Sequence, residues 1–316
     1  MLTNEIVDVI KDTVIIFVFI VFFDYVFGWI ERKIIAKAQL RHGPTYVGKF
    51  GLLQNFADIV KLLAKENIVP SNADKLVFSL APIILLALII FLIYLVQFSS
   101  TIGLSLSLGL LAIFVLLSFA PILIFLIGAS SGNKFAAISA QRSVIMSLGY
   151  EIPMILAVVG VALYSGSFNI YNIVNAQSKT PFILLMPIGF AVFFIAMLAE
   201  LERPPFDLRE ADSELIAGWL VDVGAPYYAI ALFVDYTRMF LGSLLISIMF
   251  LGGWLGPDLP QVAWLFAKAF LVAIAIVIIR STAVRMKLDK LMSFGWFWLL
   301  PFSILNIILI FLLLVR

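Results

Sequence analysis

The segment Ala199–Gly218, AELERPPFDLREADSELIAG, carries six carboxylates (Glu200, Glu202, Asp207, Glu210, Asp212, Glu214) and two guanidiniums (Arg203, Arg209). Glu210 and Glu214 stand four apart. On a helix they share a face and repel, which favours sharing a proton. Pro204–Pro205 breaks the preceding helix, Asp207 can cap the next turn, and Arg203 is placed to hold Asp207 through a charge-assisted bond. Upstream, Glu151 sits in Gly149-Tyr150-Glu151-Ile152-Pro153. Pro153 removes a backbone donor and disturbs the helix, giving the carboxylate access to water. Arg142, nearby in sequence, is expected to help keep Glu151 ionised. Asp24, Asp222, Asp235 and Arg238 are further ionisable groups near or inside apolar runs, where charge is costly and usually functional. Asp235 and Arg238, three apart, can neutralise each other, and Asp24 reads as a charge near a helix end. The chemistry on offer is a proton or cation pathway.

Other chemistries lack carriers. There is no Cys, so this chain has no thiolate for an iron–sulfur cluster and no disulfide. A single His, His42, cannot bracket a haem and reads as a loop hydrogen-bonding residue. The phosphate-loop, GxSxG and HExxH patterns are missing. A net charge of +2 suggests no nucleic-acid partner. Met1–Asp12 holds more acids than bases, the wrong sign for a signal peptide.

The elements that position these groups are membrane spans. Apolar types make up 63% of the 316 residues and charged types 13%, far from the balance of soluble domains, and mean hydropathy is +1.14. Eight runs reach about the 20 residues a spanning helix needs: Thr13–Ile30, Leu76–Phe98, Gly103–Gly128, Val144–Tyr164, Pro181–Ala199, Tyr227–Leu251, Val262–Thr282 and Gly295–Val315. The fold class is all-α, one integral membrane domain over residues 1–316. Alternate connecting segments carry 16 Lys/Arg against 3 on the opposite side, which predicts that the first set is cytoplasmic and both termini are outside. Leu52–Glu66 is too short and too charged to span; its apolar side predicts a helix lying along the cytoplasmic interface. The acidic segment Glu202–Glu214 is expected to be shielded by Lys or Arg of a partner subunit or by ordered water.

Four segments, in order, carry a resemblance. They are Glu31-Arg32-Lys33 with Arg41-His42-Gly43-Pro44-Thr45-Tyr46-Val47-Gly48 and Ala57-Asp58; Asn133-Lys134-Phe135 through Arg142 to Tyr150-Glu151-Ile152-Pro153; Ala199-Glu200 through Arg203, Pro205-Phe206-Asp207-Leu208 and Glu214-Leu215; and Arg280, Arg285, Asp289-Lys290-Leu291-Met292 with Gly295-Trp296. Together they resemble the H subunit of respiratory complex I (NADH dehydrogenase subunit 1). That family includes equivalents in archaeal membrane-bound hydrogenases, sulfur-reducing complexes and F420H2 dehydrogenases. The resemblance implies a prokaryotic cell-membrane subunit, non-catalytic alone, that joins an iron–sulfur soluble arm to the ion-pumping membrane arm. It implies an ion-pathway role for Glu151, Glu200, Glu210 and Glu214 with Arg142 nearby; Asp212, Asp222 and Asp235 join that set on their chemistry. It implies that Arg32, Arg41, Arg203, Phe206, Asp207, Arg280 and Arg285 lie at the mouth of a substrate cavity or against the soluble arm. Iron–sulfur clusters then belong to partner subunits, no cofactor or metal is held by this chain, and the remaining partners are pumping-arm subunits and lipid.

The chain departs from the complex I pattern at Trp219 to Gly224, at Glu202 in place of Asn, at Val234-Asp235-Tyr236, at Val284 and at Phe297. Several departures are expected near the quinone cavity, so they point to a branch with a hydrogenase-like soluble arm that reduces protons or sulfur. The alternative is the quinone-site H subunit of an NADH or F420H2 dehydrogenase. A reading of another class is a free-standing secondary transporter, which should show two halves with matching broken helices. The breaks at Pro153 and Pro204–Pro205 have no match in the other half.

Overall fold

The computed structural model describes residues 2–100, 102–209 and 212–315, with side chains from residue 11 onward except 12, 212 and 213. Among the described residues there is no strand. The helices are α1 (Leu2–Ala38), α2 (Gln54–Leu63), α3 (Lys75–Leu95), α4 (Gly109–Leu117), α5 (Phe119–Ser130), α6 (Lys134–Ser165) and α7 (Ile170–Ala176). They continue with α8 (Phe182–Leu185), α9 (Pro187–Glu200), α10 (Asp212–Leu215), α11 (Ala225–Phe250), α12 (Gln261–Thr282), α13 (Leu288–Phe294) and α14 (Leu300–Val315).

Seven helical stretches among the described residues are long and apolar enough to cross a membrane: α1, α3, α4 with α5, α6, α11, α12, and α13 with α14. The chain is a membrane protein. The expected fifth span, Pro181–Ala199, is instead the single turn α8 followed by the 14-residue α9. Pro187 lacks the N–H that would bond the carbonyl of Ile183, so the helix stops and restarts there. The third span begins at Gly109 rather than Gly103 and kinks at Ser118, because Pro121 leaves the Leu117 carbonyl without its helical donor. The last span widens to a π-turn over Gly295–Leu299, where Pro301 cannot bond the Phe297 carbonyl.

Pro153 does not break α6, which runs 32 residues through it. What it does is free the carbonyl of Gly149. The Gly295 backbone sits on that carbonyl, so closely that a β-carbon at Gly295 would come within 2.1 Å of it. α6 is the hub of the bundle and packs against α5, α9, α13 and α14. Its contact with α5 is equally tight, with no room for a side chain at Gly128 against Ala140.

The four Lys/Arg-rich segments meet at one end of the bundle. The Asp74 amide donates to Ser130 O at 2.9 Å, Met286 N donates to Pro205 O at 2.9 Å, and Glu31 bonds both Arg280 and Arg203. At the opposite end Ser100 N donates to Gln261 Oε1 at 3.0 Å and Gly252 N to Gln177 Oε1 at 2.8 Å. There Lys268 places its ammonium on the carbonyls of Gly253 and Leu255, at 2.9 and 2.7 Å, closing the end of α11.

α2 packs across α1 and α11. The Tyr25 hydroxyl donates to Leu52 O at 2.7 Å and Asn55 Nδ2 to Tyr25 O at 2.8 Å, while Phe56, Ile59, Val60 and Leu63 stay exposed. Arg32 on α1 clasps Asp58 of α2 at 2.6 Å.

Candidate functional site

A row of ionisable side chains runs through the interior at the Lys/Arg-rich end. Helix α9 ends on Glu200, which is 1% exposed, and Arg238 of α11, 2% exposed, reaches it at 3.0 Å. The Tyr150 hydroxyl of α6 donates to the other Glu200 oxygen at 2.8 Å. The chain then reverses: Glu202 adopts a left-handed φ of 50°, unusual for a non-glycine residue, and its side chain turns inward. Glu202 takes Arg209 at 2.5 Å and Arg238 at 3.7 Å, and accepts a bond from the Ser143 hydroxyl. Arg209 continues to Asp235 at 3.2 Å and lies over the Trp219 ring, 4.8 Å from its centroid. The row therefore reads Tyr150, Glu200, Arg238, Glu202, Arg209, Asp235. Each carboxylate meets a guanidinium, which is what lets such charges remain inside an apolar bundle.

A second cluster lies beside it. Glu31 near the end of α1 binds Arg280 of α12 and, at 3.6 Å, Arg203. Arg203 lies over the Tyr236 ring at 5.7 Å. Arg203, Asp207, Arg209, Asp235 and Arg280 line one narrow cleft, which joins the two clusters. A third group is more open. Arg142 meets Glu214 at 2.7 Å and Arg285 meets it at 3.5 Å. The hydrogen bond from Arg142, then the Arg285 charge, hold the Glu214 carboxyl below its ordinary range.

Between α1, α2, α3 and α11 lies a cavity of about 440 Å³ with an almost wholly apolar wall. Val21, Phe56, Ile59, Leu62, Ile230 and Phe233 supply hydrocarbon; Arg32 and Asp58 stand at one end and Asp24 at the other. Its size falls in the range of small-molecule sites.

The residues that stand out in the sequence fall into several groups in space. Glu200 and Asp235 join the buried row. Glu151, half-buried, stands within electrostatic reach of Glu200, with Ser147 beside it. Arg142 does not serve Glu151 and binds Glu214 instead; nine residues along one helix separate the two by roughly 13 Å. Asp235 and Arg238 do not simply neutralise each other, because each finds a closer partner on another segment. Arg203 is drawn to Glu31, with Asp207 sharing its cleft. Asp222 lines a separate cleft with Asn72, Gly132 and Lys134, away from the row. Glu210 lies outside the described residues, as does the Asp212 side chain. Arg32 reaches the cavity, Arg280 and Arg285 reach ion pairs, Phe206 is core, and Arg41 is exposed on its loop, holding Gln39 at 2.7 Å. Asp24 is not a helix-end charge facing solvent; it is buried, with Thr237 at 2.6 Å. Within the acidic segment, Glu202 pairs with Arg209, and Glu214 with Arg142 and Arg285, of the same chain.

Sequence reasoning passed over Glu202, Arg209 and Glu31 as site residues and gave Arg238 too small a part. A signal was available for Arg238: an arginine in the middle of an apolar run demands a carboxylate on another helix.

Membrane-crossing helices around a paired row of buried carboxylates and guanidiniums define a polytopic membrane protein that keeps ionisable groups within its bundle. The chain belongs to the NADH dehydrogenase family, which matches residues 11–311; this is the family of complex I H subunits. Similar proteins include the H subunit of the NADH-quinone oxidoreductase of Dehalococcoides mccartyi strain CBDB1, 41% identical over 297 residues, 94% of this chain and 84% of the relative. Its counterpart in Brevibacillus brevis is 41% identical over 287 residues, 89% of this chain and 85% of the relative. The H subunit of the F(420)H(2) dehydrogenase of Methanosarcina acetivorans is 36% identical over 299 residues, 89% and 86% of the two chains.

Proposed function

We propose that this chain is the H-type membrane subunit of a complex I-like, redox-driven ion pump. It couples an iron–sulfur soluble arm, docked on its Lys/Arg-rich cytoplasmic end, to membrane subunits of the pumping arm. Both chain termini then face outside. The observation that carries this reading is the buried row from Tyr150 to Asp235. A bundle whose only task was anchoring would gain by replacing such charges with hydrocarbon. Glu151, beside the row and partly exposed, gives it a way to exchange ions with water. No thiolate is present to hold a cluster, so electrons arrive through partner subunits and the chain contributes the acceptor's cavity and the ion path.

For the acceptor, the quinone reading has the better support. Relatives that match most of the chain are named for NADH-quinone oxidoreductase and F(420)H(2) dehydrogenase. The apolar cavity with Arg32 and Asp58 at one end suits a ring with a hydrocarbon tail. The sequence departures favour a hydrogenase or sulfur-reducing arm only if they line that cavity. Trp219 packs under Arg209, Asp222 lines another cleft, and Val284 and Phe297 are exposed. The relatives are named as subunits of larger complexes, which weighs against a free-standing transporter.

The test is mild-detergent purification of the native complex, identification of its subunits, and reconstitution into sealed vesicles. Co-purifying iron–sulfur subunits and quinone reduction coupled to ion uptake are the expected results. Hydrogen or sulfide formation without quinone reduction would move the chain to the hydrogenase-like branch. Migration alone would overturn the assignment to a multi-subunit complex.

A further inference from the structure

A groove of about 390 Å³ runs between α9 and the last span, away from the buried row and from the cavity beside α2. Pro187, Ala191 and Ile195 of α9 form one wall; Phe294, Trp298 and Phe302 form the other. No polar atom lines it. Two local breaks in the helices border it. α9 restarts at Pro187, at one end of the first wall, and the π-turn Gly295–Leu299 lies in the second, where Trp298 and Leu299 both reach the groove. Trp298 is 58% exposed and stacks on Phe302 with centroids 6.3 Å apart, so the groove opens outward to the bilayer.

Its length and its walls select the guest. Phe294 to Phe302 is eight residues, roughly 12 Å of helix rise. One leaflet of the hydrocarbon core is about 15 Å deep, half of the full thickness. A spanning helix of a partner would run the full thickness, and it would seat on small residues that let backbones approach. Only Ala191 of the six wall residues is small. A flexible hydrocarbon chain can follow such a wall, whereas a helix backbone is held off by the rings.

Charge at the mouth narrows the class further. Lys290 is exposed and lies one turn before Phe294 on the same face of α13. Among the described residues it has no ion pair or hydrogen bond. One stripe therefore reads Lys290, Phe294, Trp298, Phe302: an ammonium at the Lys/Arg-rich end of the bundle, then three rings leading into the apolar layer. A lysine so placed covers hydrocarbon with its stem and keeps its charge at headgroup level.

We propose that this groove is a binding site for an anionic phospholipid of the leaflet at the Lys/Arg-rich end: one acyl chain lies between α9 and the last span, and Lys290 holds the phosphate. The site goes beyond the redox assignment and does not depend on which acceptor the complex reduces.

The test is photolabelling of the purified complex reconstituted in phosphatidylcholine vesicles. The probes, each added at low mole fraction, are phosphatidylglycerol and phosphatidylcholine bearing the same diazirine-tagged acyl chain, with labelled peptides located by mass spectrometry. In the wild type, residues 288–302 should take up about fivefold more of the phosphatidylglycerol probe, the preference one lysine gives at an anionic headgroup. Lys290→Gln should bring the two probes within about twofold. Ala191→Trp fills the groove from an exposed position and should cut phosphatidylglycerol labelling several-fold with Lys290 intact. Equal labelling of the wild type by both probes, or a preference that survives Lys290→Gln, would overturn the proposal. So would undiminished labelling in Ala191→Trp, which marks ordinary belt lipid drawn to Lys290, or no labelling of this segment, which marks a partner helix over the groove. If Ala191→Trp fails to assemble, the headgroup comparison with Lys290→Gln decides.

Discussion

Arg238, in the middle of α11, lies between Glu200 at 3.0 Å and Glu202 at 3.7 Å, and all three side chains are buried. One guanidinium therefore compensates two carboxylates at the turn where α9 ends. Removing it leaves buried Glu200 with the Tyr150 hydroxyl but no cation, while Glu202 keeps Arg209. Breaking a buried pair in this way costs about 3–5 kcal/mol. Arg238→Gln should lower the thermal midpoint of the purified complex or prevent assembly. The double variant Arg238→Gln with Glu200→Gln should recover part of the loss. An Arg238→Gln complex as stable as the wild type would show that the pair contributes nothing.

Glu151 is the partly exposed carboxylate next to this row. Glu151→Gln keeps shape and hydrogen bonding but removes the exchangeable charge. The variant should assemble with its partners and lose ion uptake by sealed vesicles, measured beside acceptor reduction. Electron transfer in detergent, where no gradient opposes it, should fall less. Full ion uptake would remove Glu151 from the pathway.

Glu214 offers a pH test outside the spans. Arg142 and Arg285 lower its pKa in the folded protein, so it binds protons less readily than in the unfolded chain. Its contribution is present above the ordinary carboxylate range and is lost as pH falls through the lowered pKa. The side chain is 52% exposed, so solvent screens the pair and the effect is at most about 1 kcal/mol. Melting curves of wild type and Glu214→Gln should differ slightly at neutral pH and converge in acid. Curves that diverge in acid would reverse the sign.

Asn306 of α14 is buried where α6 and α9 cross it. It has room only because both neighbours are glycines: a β-carbon at Gly160 or Gly189 would lie 2.8 or 2.7 Å from its Nδ2. Gly189→Val should destabilise the bundle by about 1–3 kcal/mol through overpacking. Adding Asn306→Ala to Gly189→Val should restore stability by making room. If the second change makes matters worse, the three helices are not held apart by this contact.

Much of the design is legible in the residues alone. Apolar runs fix the number and order of spans to within the α8–α9 break, because a backbone in lipid has no choice but helix. The Lys/Arg pattern groups the four loops that meet at one end of the bundle, and Glu31-Arg32-Lys33, Arg203 and Arg280 lie together there. Glu151 and Glu200 stand out because a carboxylate in an apolar run is rare. Charge counting along the chain misjudges the partners, however. It assigns Arg142 to Glu151 and sets Asp235 against Arg238, since sequence spacing reports only neighbours on one helix.

Tertiary structure decides who compensates whom. Arg280 meets Glu31 across 249 residues and Thr237 meets Asp24 across 213. Glu202 reads as one more solvated acid until a left-handed turn sends it inward to Arg209, Arg238 and Ser143. The reason is physical. Burial of an apolar face follows from local periodicity, because hydrocarbon accepts any hydrocarbon neighbour. A buried charge accepts only an opposite charge or a hydrogen bond at about 3 Å, and that distance exists only after the helices have packed.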